Sequence, residues 1–599
     1  MPAESAFHHL PRPRWAKPQA ALGARRQPMP EERIGDAAQR RAAPRIGPAR
    51  RVAAARSSGG VAPPRRPPGR TPSSSRLAAG ARAHATRFAR GDGRRSRALM
   101  IQGTGSSVGK SLLVTALCRI FTQDGHRVRP FKAQNMSNNA AVTVDGGEIG
   151  RAQAEQAMAC RAEPSVQMNP ILLKPCSDIG SQVVLLGRAI GTMSAQEYRA
   201  KKPRLLPVVT EALQALMEEA EIVVIEGAGS PAEINLKADD CVNMWVAKQA
   251  GAAVLLVGDI DRGGVFAQLV GTMELLDDEE RRLVRGFLIN KFRGDFSLLE
   301  PGVRWLEARC GRPVLGTIPY LTDIELAEED AAPLEQHGAG GNGNGHGRLR
   351  IEVVRLPRIS NFTDFDALQR EPDVQLMFVD RPSSGPLPDA VILPGTKSTI
   401  ADLGMVRERG FDGYLRACVE AGRELVGICG GFQMLGETIR DPDRVESPKG
   451  VAQGLGFLPL TTVFHGEKLV AQVKGVHVES GLPIGGYEIH MGRMEQMPDG
   501  DAAVRISERS GVATDALDGF RARERRVWGT HVHGLFDTAA FRTWWLDRLR
   551  DRRKLLAPSR WTGTGAHASA GDRYDRLASA VRQHLDMRRV YELVGVDHD

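Results

Sequence analysis

The sequence predicts an α/β protein of two consecutive domains, each a mainly parallel sheet wound with helices. Three observations predict it. From residue 98 onward, short apolar runs alternate with amphipathic helical stretches. A glycine-rich turn joins a strand to a helix at 103–111. A second junction of the same kind, centred on Cys429, recurs after a glycine- and asparagine-rich stretch at 337–347.

Residues 1–96 precede the first strand. Through residue 97 the chain holds 22 basic and 5 acidic side chains and 13 of the 36 prolines, with no apolar period. Such a segment buries too little surface to offset its ordering entropy, so the expectation is a disordered basic leader. A nucleic-acid arm and a transit peptide are weaker readings than a dispensable extension or a start assigned too far upstream. The formal net charge of +10 resides in this leader; the remainder carries 59 basic against 66 acidic residues. A basic protein that binds nucleic acid is therefore not expected. No apolar run is long enough for a membrane span. The seven cysteines are scattered without a Cys-x-x-Cys pair, which suits a reducing cytoplasm and argues against a zinc knuckle.

The first domain is placed at 97–336. Ala98-Leu-Met-Ile101 reads as a strand, Gly103-Thr104-Gly105-Ser-Ser-Val-Gly109-Lys110-Ser111 as a phosphate-binding turn, and the residues beyond as a helix with Leu112, Leu113, Ala116, Leu117 and Ile120 on one side. Glycines let backbone N–H groups approach a phosphate, and the helix N-terminus favours its charge. Lys110 is expected at the terminal phosphates of ATP and Ser111 on Mg²⁺. The loop is one residue longer than the usual spacing, with five residues between Gly103 and Gly109. Further strands are expected at 127–131, 182–186, 221–225, 252–257, 286–289 and 313–318, in a doubly wound parallel sheet with ligands at the carboxyl ends. Polar residues sit at those ends. Lys132 is expected as a second phosphate cation and Glu226 as a Mg²⁺ ligand in preference to a cap or turn role, while Asp259 and Asp261 are candidates equally for holding the metal and for a cap or turn role. Asn290 follows another strand and is a candidate for reading an adenine edge or for a turn role.

A linker is expected at 337–348 and the second domain at 349–599, its last residues forming a helical tail. Strands are expected at 349–354, 374–378 and 389–393, the last running into Pro394-Gly395-Thr396. Gly427-Ile-Cys429-Gly430-Gly431 between a strand and a helix has the pattern of a nucleophile elbow with cysteine as nucleophile. The helix N-terminus favours thiolate. The Gly430 N–H is one expected oxyanion donor, and the Gly395 or Thr396 turn supplies a second. A base is offered by Thr530-His531-Val-His533-Gly534. Alternation in a strand points both imidazoles the same way and does not choose between them. Leu535 stands two residues past His533, so no acid follows the histidine there; Glu488 and His490 supply another acid and imidazole.

Together these segments resemble the cobyric acid synthase family, the glutamine-hydrolysing CobB/CobQ-type amidoligases of cobalamin biosynthesis. The resemblance spans 97–599 and rests also on Lys132-Ala-Gln-Asn-Met-Ser-Asn-Asn139, Glu148-Ile-Gly-Arg-Ala-Gln153, Ile225-Glu-Gly-Ala-Gly-Ser-Pro-Ala-Glu-Ile-Asn235 and Gly258-Asp-Ile-Asp-Arg-Gly-Gly264. The first domain is similar to dethiobiotin synthetase, which has the same lengthened loop, and the second to class I glutamine amidotransferases. The resemblance implies Cys429 as nucleophile and aligns the base with His533. It implies ATP- and glutamine-dependent amidation of the b, d, e and g carboxylates of adenosylcobyrinic acid a,c-diamide, with Mg²⁺ and no bound prosthetic group. Asn135, Ser137 and Asn138 become candidate substrate contacts, because related a,c-diamide synthases carry acids in this segment. The rivals are a cobyrinic acid a,c-diamide synthase and a partition-type DNA-binding ATPase.

Overall fold

The computed structural model describes residues 97–177, 180–321, 348–495, 501–522, 526–555 and 570–596. The expected leader and glycine linker lie outside them. All described residues belong to one compact unit, Asp92–Asp599.

The first sheet is parallel throughout. From edge to edge it runs Val314–Pro319, Val284–Phe292, Ala253–Asp259, Ala98–Gly103, Ile222–Glu226 and Val128–Phe131. The inner strands are buried on both faces, which is why they read as continuous apolar runs such as Ala98-Leu-Met-Ile101. The winding reverses between Ala98–Gly103 and Ala253–Asp259. The crevice at their carboxyl ends is where open α/β sheets take ligands.

The run expected at 182–186 is not in this sheet. Gly180–Leu185 pairs antiparallel with Ile171–Pro175 and with Arg188–Ser194, in a separate sheet that also holds Gln134–Met136. Leu186 and Gly187, both at positive φ (43° and 76°), join the last two strands as a two-residue hairpin. Parallel pairing needs a crossover of a dozen or more residues, and this connection leaves no room for one.

The second domain repeats the plan. Val374–Val379, Leu349–Val354, Ala390–Leu393, Glu424–Ile428 and Val527–Thr530 form a parallel sheet, and Phe520–Ala522 closes it antiparallel. A further, largely antiparallel sheet is built on the long hairpin Thr461–His477 and Pro483–Met494, with Val504–Arg509 and Val512–Asp518 beside it. Sequence reading did not foresee it. A bridge between Tyr487 and His533 ties the hairpin to the end of the parallel sheet.

The C-terminal tail belongs with the first domain, not the second. Helices Ala570–Arg582 and Met587–Val594 put Tyr574, Leu577, Ala578, Val581, Val590 and Tyr591 into one core with Leu113, Leu117 and Phe121. The Tyr591 ring meets Phe121 edge-on at 5.3 Å. Arg119 binds both Asp575 oxygens, at 2.6 and 2.9 Å. The apolar face of the tail is covered by the helix Lys110–Gln123, across some 450 residues of sequence; adjacency along the chain pointed to the wrong domain.

Candidate active sites

The phosphate-binding turn leaves the strand Ala98–Gly103 and enters the helix Lys110–Gln123 with Gly109 at φ 97°. A Cβ on Gly109 would lie 2.1 Å from Asn290 Nδ2, so only glycine fits. Asn290 is buried and donates to Val108 O at 2.8 Å. It braces the loop through Val108, the turn role that the sequence also allowed. Lys291 does the same from its other side, donating to Ser107 O (2.7 Å) and Asp259 (2.8 Å). Thr104 donates to the Gln268 side chain at 3.1 Å, and its N–H to Val257 O at 2.9 Å. Lys110 Nζ curls back over the loop to Gly105 O (2.8 Å) and Gly229 O (3.2 Å).

Glu226, at the end of its buried strand, gathers the polar groups. Its Oε1 accepts from Ser111 Oγ (2.9 Å) and Lys132 Nζ (2.8 Å), and its Oε2 from Gln156 Nε2 (2.5 Å). Burial pushes its pKa up, but the Lys132 ammonium and these hydrogen bonds outweigh it and hold the carboxyl below its usual range. Gln156 was not anticipated; it lies on the helix Arg151–Ala159, whose side facing the site carries Gln153 as well. Asp259 and Asp261 are both engaged by cations, Lys291 at 2.8 Å and Arg293 at 3.1 Å.

The proposed acceptor segment lies beside that helix. Asn135 Nδ2 donates to Gln153 Oε1 at 3.0 Å, and Ser137 Oγ accepts the Asn139 N–H at 2.9 Å. Asn138 Nδ2 donates to Pro175 O at 3.2 Å, while its buried Oδ1 has no hydrogen-bond partner.

At the second junction Cys429 has φ 50° and ψ −110°, between the strand Glu424–Ile428 and the helix Gly430–Leu435. The flanking glycines are obligatory. A Cβ on Gly427 would lie 2.6 Å from Phe432 Cα, and one on Gly431 2.0 Å from Leu393 O. A Cβ on Gly430 would lie 2.8 Å from Thr396 Cγ2 and 3.2 Å from Thr396 N, so the Thr396 turn packs directly against the elbow. A Cβ on Gly395 would strike His533 Cε1 at 2.7 Å.

His533 stands close enough to Cys429 to act electrostatically on its thiol. Burial pushes the Cys429 thiol up; His533 opposes it, with help from His531 and the Gly430 N–H, and the net direction is down. Burial alone would lower His533, but the Asp364 carboxylate and Cys429 raise it to about 10. Asp364 is the carboxylate missing from the sequence after the histidine. Its Oδ2 is 2.7 Å from His533 Nδ1, and its Oδ1 accepts the Gly534 N–H at 3.0 Å. The only signal for it was the four acids Asp364, Asp366, Glu371 and Asp373 between the first two strands of the domain, with nothing to choose among them. The Tyr487 ring stacks on His533 at 5.3 Å.

His531 points into a different network. Its Nδ1 is 2.7 Å from Asp518, and its ring stacks on His490 at 4.1 Å. Glu488 holds Arg509 at 2.7 Å. The two histidines that alternation could not separate are thus each held by a carboxylate of their own.

The two sites are joined by polar contacts. Ala140 N–H donates to Asn361 Oδ1 (2.9 Å), Thr363 Oγ1 to Asn139 Oδ1 (3.2 Å), and Gln472 to Val142 O (2.8 Å). Glu148 is buried between Lys174 (2.6 Å) and Lys468 (2.5 Å), the latter from the second domain. Ala140, Val142, Leu172 and Val184 pack on Tyr487 and Ile489, and Ile489 O lies 3.7 Å from Cys429 Sγ.

Comparison with known proteins agrees with this layout. Residues 99–334 match the CobQ/CobB/MinD/ParA nucleotide binding domain, and residues 350–541 the CobB/CobQ-like glutamine amidotransferase domain. A cobyric acid synthase of Pelotomaculum thermopropionicum is 49% identical over 513 residues, covering 84% of this chain and 97% of that protein. One of Moorella thermoacetica is 49% identical, with 84% and 98% covered, and one of Sorangium cellulosum is 49% identical, with 83% and 99% covered. No described helix is long and apolar enough to cross a membrane.

Proposed function

Because the chain belongs to the cobyric acid synthase family, and is thus a glutamine-dependent carbon–nitrogen ligase of cobalamin biosynthesis, we propose that it amidates the b, d, e and g carboxylates of adenosylcobyrinic acid a,c-diamide. The observation that carries the reading is one compact unit holding both a phosphate-binding turn closed by Lys110, Ser111 and Glu226 and a Cys429–His533–Asp364 constellation.

A carboxylate is a poor acyl donor. Transfer of the ATP γ-phosphoryl group makes it an acyl phosphate, with Lys110 and Lys132 neutralising charge on the moving group. Mg²⁺ fits the donors present: the Ser111 hydroxyl and Glu226 carboxylate are hard oxygens 2.9 Å apart, a protein share typical of sites completed by phosphate and water. These two residues would hold the ion, which supplies positive charge to the phosphates. In the second domain the Cys429 thiolate attacks the glutamine amide carbon. The Gly430 and Thr396 amides hold the oxyanion, and His533 protonates the leaving ammonia. Water, deprotonated by His533, then releases glutamate. Ammonia displaces phosphate from the acyl phosphate. Asn135, Ser137 and Asn138 line the segment that takes the corrinoid. A cytoplasmic location fits the free cysteines.

The test is mass spectrometry of the product formed from the a,c-diamide with ATP and glutamine. Four successive mass steps are expected. In Cys429→Ala the same steps should require added ammonium. Accumulation of only the a,c-diamide from cobyrinic acid would assign the chain to the rival diamide synthase.

A further inference from the structure

Asn361 stands between the two chemistries. It is 2% exposed and at φ 52°, a left-handed conformation that asparagine tolerates better than most residues. Its Oδ1 accepts the Ala140 N–H at 2.9 Å, in the strand that continues the 135–139 acceptor segment. That bond fixes the amide's orientation, because only the oxygen can accept. The Nδ2 end therefore faces His533, 3.3 Å from Nε2. An NH₂ group is satisfied there only by a lone pair, that is, by neutral imidazole with its proton on Nδ1, donated to Asp364. The imidazolium that Asp364 and Cys429 favour would instead set an N–H against the NH₂, so Asn361 opposes the charge that those two groups promote.

We propose that Asn361 is a positioning residue that restrains His533 until the acceptor segment is engaged, so that glutamine is hydrolysed when a carboxylate acceptor is bound. The proposal rests on the ligase reading above and names how its two sites communicate. Any ligand that draws the Asn139–Ala140 backbone toward itself draws Asn361 with it. The Thr363–Asn139 bond is a second tie on the same turn. Besides Asp364 and Cys429, Tyr487 on the hairpin stacks on the His533 ring, and Arg151 on the helix Arg151–Ala159 and Asp537 on the following turn act on Tyr487 in turn. His531 lies on the Cys429 side. The hydrogen bonds to the His533 ring nitrogens come from Asp364 at Nδ1 and Asn361 at Nε2.

The test is Asn361→Gly, which keeps the positive φ without strain. Without acceptor, glutamate release should rise about fivefold to tenfold, the worth of one hydrogen bond. The midpoint pH for iodoacetamide alkylation of Cys429 should fall by up to about one unit. Thr363→Val should weaken stimulation of glutaminase by the acceptor while leaving the alkylation midpoint in place. An Asn361→Gly protein with an unchanged or lower acceptor-free rate and an unchanged midpoint would overturn the proposal. Ammonium-supported amidation of the a,c-diamide by the unaltered protein is run in parallel. Its failure would strike the ligase reading, whereas the acceptor-free readouts address Asn361 alone.

Discussion

Asp364→Asn isolates the residue that sequence patterning could not supply. In the structure Asp364 Oδ1 accepts the Gly534 N–H at 3.0 Å and Oδ2 lies 2.7 Å from His533 Nδ1, with both residues buried. Asparagine retains one acceptor, and Gly534 claims it. The new NH₂ then faces Nδ1, which must present its lone pair, and the ring proton moves to Nε2. That tautomer cannot take a proton from Cys429. A charge-assisted hydrogen bond is worth about 1.5–3 kcal/mol, which by itself corresponds to roughly tenfold to hundredfold in rate. The forced tautomer adds to it; in the serine triad the equivalent exchange costs about 10⁴ in kcat. Glutaminase turnover should therefore fall at least about a hundredfold, and the alkylation midpoint of Cys429 should rise, since its cationic partner is lost. Glutamate release and ammonium-supported amidation, measured on the same preparation, separate a lesion at His533 from misfolding. A loss of glutaminase below tenfold, with ammonium-supported amidation intact, would refute Asp364 as the orienting acid.

Other outcomes follow from the same geometry. Glu148→Gln leaves Lys174 and Lys468 facing each other in the interior and should destabilise the protein by about 3–5 kcal/mol in urea unfolding, the cost of orphaning a buried charge. Glu148 itself is pushed up by burial but held down to about 2 by the two lysines, so its stabilisation is full above the unfolded value near 4.5 and is lost as pH falls toward 2; a flat acid limb of stability against pH would contradict the pairing. Glu226→Gln should lower ammonium-supported amidation by at least about a hundredfold, because Lys132 and Ser111 lose their anionic partner; near-normal turnover would remove Glu226 from the site. Leu577→Ala, in the tail, should cost about 2–5 kcal/mol and weaken ATP-site function, since the side chain is buried in the first domain's core; an effect confined to glutaminase would contradict that packing.

What could be read from sequence was local chemistry. Gly103 through Ser111 and Gly427 through Gly431 each force a strand–turn–helix junction, because side chains at Gly109, Gly427 or Gly431 would collide with neighbouring atoms. The buried strands announced themselves as apolar runs. The failures share one cause, contact between residues far apart in sequence. The strand Gly180–Leu185 has the composition of a sheet strand, and only its two-residue turn excludes it from the parallel sheet. The tail's amphipathic helices declare a face but not its cover. The orienting acid escaped because no period links Asp364 to a histidine 169 residues later.

The position of that acid has a consequence for how the two reactions are joined. Where an acid follows the histidine directly, the triad is complete within one end of one sheet. Here position 535 is leucine, and the carboxylate comes from the turn after the strand Leu349–Val354. The same turn, within the four residues 361–364, carries Asn361 and Thr363, which hold Ala140 and Asn139 of the other domain. One short segment thus meets His533 at both ring nitrogens and the acceptor segment at two points. A rigid apolar interface would bind the domains without reporting on either site. Directional hydrogen bonds at about 3 Å hold their two segments to one relative position, because buried polar groups that lose their partners carry a penalty of about 1–3 kcal/mol each. Moving the acid from after the histidine to the interdomain turn therefore ties the orientation of His533 to the segment that holds the other domain, which is what the coupling proposed for Asn361 requires.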